Sequence, residues 1–312
     1  MSKMKMMVTG GAGFIGSHLA EALLAAGHEV AIVDNLRTGK KENIPAQAEF
    51  IELDICAEEM AGVFKKGKFD AVFHLAAQND VRTSVARPEF DAQVNILGSL
   101  NLLQNCVKTK VGRFIFASTG GAIYGEVEHP PADETHPIRP EAPYGITKYA
   151  VEHYMRYFTT IYGLQTRPLR FANVYGPRQD PHGEAGVVAI FCGLMLAGKR
   201  PKIFGDGEQL RDYVYVGDVV AAFLRALESP GEAVNIGTGV GTSVNQIYHG
   251  LAALLNYPEP PEYAPKRPGE IQCSYLAWGR ANKELGWQPK VSFDQGLALT
   301  AEWFSPNRSY SG

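Results

Sequence analysis

TGGAGFIG, residues 9–16, stands between an apolar run, MKMMV at 4–8, and a stretch of helical period, HLAEALLAA at 18–26 closed by Gly27. A strand, a glycine turn and a helix in that order are the setting a dinucleotide fingerprint needs. Glycines let the chain turn sharply and let a pyrophosphate approach the backbone. The free N–H groups and positive dipole end of the helix then face the phosphate charge. The pattern fits Gly11-x-Gly13-x-x-Gly16 and equally Gly10-x-x-Gly13-x-x-Gly16, with Phe14 and Ile15 opening the helix. Downstream, EVAIVD at 29–34 ends in Asp34, eighteen residues past Gly16, followed by Asn35. A carboxylate there accepts hydrogen bonds from an adenosine ribose and repels a 2′-phosphate, which favours NAD over NADP; Arg37 nearby pulls the other way.

Two further strand ends extend the series. FIELD at 50–54 closes on Asp54 and Ile55, and DAVFHLAAQ at 70–78 closes on Leu75, Ala76, Ala77 and Gln78. Ligands of open α/β sheets gather at such C-terminal ends. His74 reads as a packed strand residue. Over the first 170 residues, short strands alternate with helical stretches, which predicts a parallel sheet covered by helices: an α/β, Rossmann-type doubly wound fold. Longer helices are expected over 91–109, with Val94, Leu97, Leu100, Leu103 and Val107 on one stripe, and over 144–162, with Ile146, Ala150, Tyr157 and Ile161 on another. Gly163 is placed to end the second. After RFANVYGPRQ at 170–179, Pro and Gly become frequent and elements shorten. We expect a dinucleotide-binding domain at 1–172, a returning segment at 210–240 that includes VNIG, and a smaller α/β substrate-binding lobe at 173–209 and 241–312.

Composition bounds the partners. With 33 acidic and 30 basic residues in 312, no field of one sign points to nucleic acid or an anionic membrane. No apolar run approaches the roughly 20 residues that cross a bilayer. The sequence reads as cytoplasmic. Cys56, Cys106, Cys192 and Cys273 are isolated and read as free thiols. Asp180-Pro181-His182-Gly183 offers one histidine without a second ligand at useful spacing, so no metal site is expected.

RFIFAS at 113–118 ends at Ser118 and is followed by Thr119, Gly120 and Gly121. Thr119 then projects at the sheet's C-terminal edge. Tyr144 and Lys148, in YGITK, are one helical turn apart on one face. A lysine ammonium and a positive nicotinamide ring would both favour the phenolate and make Tyr144 a usable base. By itself a Tyr-x-x-x-Lys pair is an ordinary surface pair; the glycine loop, Asp34 and the Thr119 strand end give it meaning.

Together with RFANVYGPRQ and LRDYVYVGDV at 210–219, these motifs resemble the extended short-chain dehydrogenase/reductase family, and within it the UDP-glucose 4-epimerase subgroup of nucleotide-sugar epimerases. The resemblance spans nearly the whole chain. It implies NAD as cofactor, held by Gly10, Gly13, Phe14, Ile15, Gly16, Asp34, Asn35, Asp54, Ile55, Leu75, Ala76, Ala77, Gln78, Ser118, Tyr144 and Lys148. It implies a UDP-sugar substrate whose 4-OH gives its proton to Tyr144 and its C4 hydrogen to NAD, passing through a 4-keto sugar, with Thr119 on O4. Arg211 and Arg267 fall at diphosphate-binding positions, Glu270 at that of a ribose-binding acid, and Asn173, Val188 and Phe204 at substrate positions. Ser274, four residues past Glu270, is small where a bulky residue restricts the sugar, which implies room for UDP-GlcNAc. Many members have four residues from the catalytic hydroxyl to the YG tyrosine, whereas Thr119 to Tyr124 is five, so Ser118 competes with Thr119; we take Thr119. A 4,6-dehydratase carries an Asp-Glu pair where this chain has Gly120-Gly121. A uronate epimerase and a non-catalytic NAD sensor are the remaining alternatives. The resemblance also implies a homodimer in which helices 91–109 and 144–162 pair as a four-helix bundle.

Overall fold

The computed structural model describes residues 3–182, 186–266 and 271–305. From the N-terminus, β1 (Lys5–Thr9), α1 (Phe14–Ala25), β2 (Glu29–Asp34), β3 (Glu49–Glu52), α2 (Met60–Gly67) and β4 (Ala71–His74) lead to α3 (Val81–Ala86) and α4 (Pro88–Ala92). One π-helical turn (Gln93–Leu97) then runs into α5 (Gly98–Thr109), and β5 (Arg113–Thr119), α6 (Pro143–Tyr162) and β6 (Gln165–Phe171) follow. The second half holds β7 (Asn173–Tyr175), α7 (Val187–Leu196), β8 (Lys202–Phe204), β9 (Leu210–Arg211), β10 (Tyr213–Tyr215), α8 (Val216–Ala226) and β11 (Val234–Ile236). It ends with β12 (Thr242–Ser243), α9 (Val244–Leu255), β13 (Glu262–Ala264), β14 (Cys273–Ser274), α10 (Gly279–Leu285) and α11 (Phe293–Phe304). None of the described helices is long and apolar enough to cross a membrane, and all four cysteines are free.

Seven strands form one sheet in the order β11-β6-β5-β4-β1-β2-β3, every pairing parallel. A parallel sheet needs crossover helices, and these bury both its faces. Side chains alternate accordingly: Met6 and Val8 of β1 pack with Leu19 and Leu23 of α1 and Phe223 of α8, while Met7 packs on the other side with Phe64, Leu103 and Met155. Burying each such side chain contributes about 1.5–3 kcal/mol. The strand order reverses between β1 and β4, which opens a crevice at their C-terminal ends. VNIG does return to the sheet, as β11 beside β6.

The apolar stripes of the two long helices are only partly buried. Asp91, Asn95, Ser99, Leu102, Leu103 and Cys106 are buried, whereas Leu97 is 51% exposed. The π-turn inserts an extra residue and rotates the face that follows it. In α6, Ile146, Tyr157 and Ile161 are exposed, and the buried side holds Thr147, Lys148, Val151, Glu152, Met155 and Phe158. Polar side chains with buried partners have taken the inner face. Gly163, with φ of 71°, caps the helix as expected.

The second core, built from Val188 and Phe191 of α7, Ile247 and Leu251 of α9 and Leu297 of α11, belongs to the smaller lobe. Asp212, 1% exposed, joins that lobe to the sheet. Its carboxylate accepts from Thr238 N (2.9 Å), Thr238 Oγ1 (2.7 Å), Gly239 N (3.1 Å) and Leu276 N (3.2 Å). Its backbone N donates to Ser274 O, and its carbonyl accepts from Asn173 N. Replacing Asp212 with Ala strands several buried donors at once, so a loss of about 3 kcal/mol is expected. Urea denaturation checks it; a midpoint equal to wild type would show that the junction holds without this carboxylate.

Candidate active site

The glycine turn is built by backbone contact. Gly10 has φ of 70°, and a Cβ there would lie 2.7 Å from Ala76 N; on Gly16 it would lie 2.2 Å from Gly10 O. Neither position tolerates a side chain. The turn therefore brings the start of α1 against the end of β4. Gly13, the N-cap, has no side chain to cap α1, which leaves first-turn N–H groups for a ligand. Asp34 ends β2 buried, its carboxylate accepting from Ala12 N (3.1 Å) and Leu36 N (2.8 Å). Burial pushes this carboxyl up, and those two N–H groups pull it back. Asn35 Nδ2 donates to Asp54 Oδ2 (2.7 Å), and Cys56 N donates to Asp54 Oδ1 (2.8 Å). Against burial, these bonds hold Asp54 below the usual range. Ile55 is buried alongside. A side-chain-free cradle, open helix N–H groups and a carboxylate at the neighbouring strand end fit a dinucleotide.

Leu75, Ala76 and Ala77 leave β4 next to this cradle, where Leu75 N donates to the Thr9 carbonyl and Oγ1. His74 is packed, as expected: Nδ1 bonds Thr9 Oγ1 and Nε2 bonds Ser99 Oγ. Gln78 turns inward. Its amide nitrogen donates to Asp80 O and to Asp91 Oδ1 (3.1 Å), while its backbone N donates to Asn95 Oδ1.

Tyr144 and Lys148 lie side by side on α6, against β5. Lys148, 2% exposed, donates to Ala117 O (2.9 Å), with Nζ 4.6 Å from the Phe116 ring centroid and 5.8 Å from that of Tyr144. Among the protein's own groups, the lysine does not bring about the expected lowering of the phenol. Burial, then the Asp91 charge, push the Tyr144 phenol up. Burial pulls the Lys148 ammonium down to about 7, with Asp91 acting against it. Burial therefore makes the charged form of this lysine costly in the protein alone, and Asp91 works to restore it.

Asp91 was not among the sequence candidates. Fully buried, it accepts from Gln78 Nε2, Asn95 Nδ2 (3.0 Å) and Thr147 Oγ1 (2.8 Å). A second buried chain separates the competing hydroxyls. Ser118 Oγ donates to Glu152 Oε1 (2.5 Å), Arg170 grips the same carboxylate (2.6 Å), and Arg170 Nη1 donates to Tyr124 Oη (2.8 Å). Both hydroxyl residues border a cleft of about 620 Å³, but Thr119, 9% exposed, is not drawn into that buried chain.

Thr119, Gly121, Tyr144, Asn79 and Val81 form the cleft wall on the sheet side, and Asn173, Val188, Phe204, Gln209, Arg211 and Tyr213 the wall on the lobe side. Arg211 also donates to Leu210 O and Ile271 O. Val188 doubles as core. Ser274 is buried and paired with Arg211 in register, but it is not among the described residues that line the cleft. Arg267 and Glu270 lie outside the described residues. A wider depression of about 790 Å³, at Lys3, Asp70, Lys110, Arg113 and Gln165, lies at the strands' N-terminal ends and holds none of the candidates.

Known proteins share this architecture. The model of the NAD dependent epimerase/dehydratase family matches residues 6–237. The chain is 44% identical to a putative UDP-glucose 4-epimerase of Methanocaldococcus jannaschii, over 97% of this chain and 99% of that one. The Thermotoga maritima UDP-glucose 4-epimerase with UDP-glucose superposes with a TM-score of 0.95 at 52% identity, covering 96% and 98% of the two chains. The Thermus thermophilus UDP-glucose 4-epimerase complex with NAD gives 0.92 at 47%, covering 96% and 99%.

A lysine with its folded pKa near 7 and an ordinary value of 10.5 when unfolded leaves the unfolded chain holding the extra proton between those limits. Stability without bound NAD is therefore expected to rise with pH above 7, by at most about 1.4 kcal/mol per pH unit from this group. Denaturation from pH 7 to 9.5 checks this, and Lys148→Met should flatten the slope. Equal slopes in the two proteins would contradict the buried ammonium.

Proposed function

Because the chain belongs to the NAD dependent epimerase/dehydratase family, with NAD as its cofactor, we propose that it is a cytoplasmic isomerase that interconverts UDP-hexoses at C4. The observation that carries this reading is that Thr119 and Tyr144 face the same cleft as Arg211 and Phe204. Hydroxyl chemistry and an anion-binding cation thus share one cavity. Residues 1–172 with 210–240 would hold NAD, and 173–209 with 241–312 the nucleotide sugar.

In this reading Arg211 takes the diphosphate with Arg267, Glu270 takes the ribose, and Asn173, Val188 and Phe204 line the path between them. Arginine suits phosphate because its planar fork bonds two oxygens at once. Thr119 holds the sugar O4. Tyr144 takes the O4 proton as C4 becomes a ketone and gives it back when the other face is presented. Lys148 supplies the positive charge beside the phenol, its position fixed by Ala117 O. Bound NAD supplies the acceptor, and later the donor, of the C4 hydrogen. The small Ser274, buried beside Arg211, favours UDP-GlcNAc as a second substrate by the family resemblance. The exposed apolar side chains of Leu97, Ile146, Tyr157 and Ile161 form the surface on which a second copy packs, helices 91–109 and 144–162 making a four-helix bundle.

UDP-galactose should be converted to UDP-glucose without net reduction of NAD, and UDP-GlcNAc to UDP-GalNAc. Tyr144→Phe should retain NAD while losing about 10²–10⁴ in kcat; near-normal turnover would remove Tyr144 as the base. In sedimentation the protein should behave as a dimer that Ile161→Asp splits into monomers. A wild-type monomer would discard the bundle.

A further inference from the structure

Two glycines follow Thr119, and they are glycines for different reasons. A Cβ on Gly120 would lie 2.4 Å from Cδ1 of Leu276, a residue that is itself buried. Packing alone accounts for it. At Gly121 the backbone is outside the left-handed region, and a Cβ would meet only Asn173 Oδ1 at 3.7 Å and Thr119 Oγ1 at 4.0 Å. Both are ordinary contact distances. The fold would accept alanine here, and alanine would restrict the unfolded chain more than glycine does. Glycine at 121 is therefore unexplained by folding. Its backbone cannot retreat either, because Gly120 N and Gly121 N both donate to Phe171 O, at 2.8 and 3.3 Å.

The position that a side chain would fill opens into the cleft, bracketed by Thr119 and Asn173 and sharing a wall with Tyr144. We propose that Gly121 is a specificity-determining residue of the sugar subsite: its bare backbone forms a wall of that subsite, and the missing side chain leaves the volume the hexose ring occupies while Thr119 holds O4. This rests on the C4-epimerase reading and adds a residue to it. A methyl group at 121 would touch no protein atom closely, yet it would stand where the ring must lie. Nucleotide binding, which depends on Arg211 across the cleft, would be untouched.

Gly121→Ala tests it, with Gly120→Ala as the contrast. Thermal unfolding of Gly121→Ala should match or slightly exceed wild type, whereas Gly120→Ala should unfold at lower temperature. By calorimetric titration, Gly121→Ala should bind UDP within about twofold of wild type and UDP-galactose about 10-fold or more weakly, with a matching fall in kcat/KM. Unchanged UDP-galactose affinity would overturn the proposal. So would a lowered unfolding temperature or parallel weakening of UDP, since either would make Gly121 structural. A wild-type protein that binds UDP-galactose more tightly than UDP without epimerising it would sink the functional reading alone, and the affinity comparison would still judge Gly121. If UDP-galactose gained nothing over UDP in wild type, the sugar subsite and Gly121's role would fall together.

Discussion

Arg170 on β6 closes on Glu152 on α6 at 2.6 Å, with both side chains nearly withdrawn from solvent. The helix that carries Tyr144 and Lys148 is thereby fixed at one rotation against the sheet. A buried pair of this kind returns little net stability, since desolvation consumes most of the attraction. Its effect is selective: any other rotation of α6 would leave a carboxylate and a guanidinium buried without partners. Asp91 adds a second fixed point through Thr147, one residue before Lys148. These two anchors act with Val151, Met155 and Phe158, which pack the same side of the helix into the core.

The cleft itself arises where the chain leaves the sheet. β6 ends at Phe171, whose carbonyl receives the loop after Thr119, and two residues later Asn173 begins the lobe that faces it. Asp212 binds the lobe's strands to the turns at Thr238 and Leu276. On the far side, His18 Nε2 donates to Pro177 O, and Arg178 pairs with Glu21 at 2.5 Å. The smaller lobe is thus tied at one edge to the turns after β11 and β14 and at the other to the helix that opens the glycine turn.

Much of this was legible in the sequence where the rule is local. The glycine turn, Asp34 at the end of β2, the return of VNIG and the αL cap at Gly163 each depend on a few neighbouring residues, and the structure has them in place. For the two long helices, hydrophobic periodicity alone could not say which face is buried, since it assumes an unbroken 3.6-residue turn and sees no buried polar partners. The π-turn at Gln93–Leu97 breaks that period, and Thr147, Lys148 and Glu152 have such partners. Asp91 was missed because its three donors come from residues 78, 95 and 147, a proximity no local pattern carries. The spacing between Thr119 and Tyr124 left two hydroxyls in competition. The structure adds a tertiary difference between them: Ser118 donates to the buried Glu152.

One link in the buried chain has a bearing on biosynthesis. Tyr124 Oη, which receives a hydrogen bond from Arg170, passes its own to Asn235 Oδ1 at 2.8 Å, and Asn235 Nδ2 reaches Ala132 O. Asn235 lies in the outermost strand of the sheet and emerges from the ribosome long after α6. A nascent chain halted before it could assemble six of the sheet's seven strands and both long helices, yet its Tyr124 hydroxyl would still want an acceptor. The helix that carries Tyr144 and Lys148 is translated early, and the buried chain that holds it is completed late.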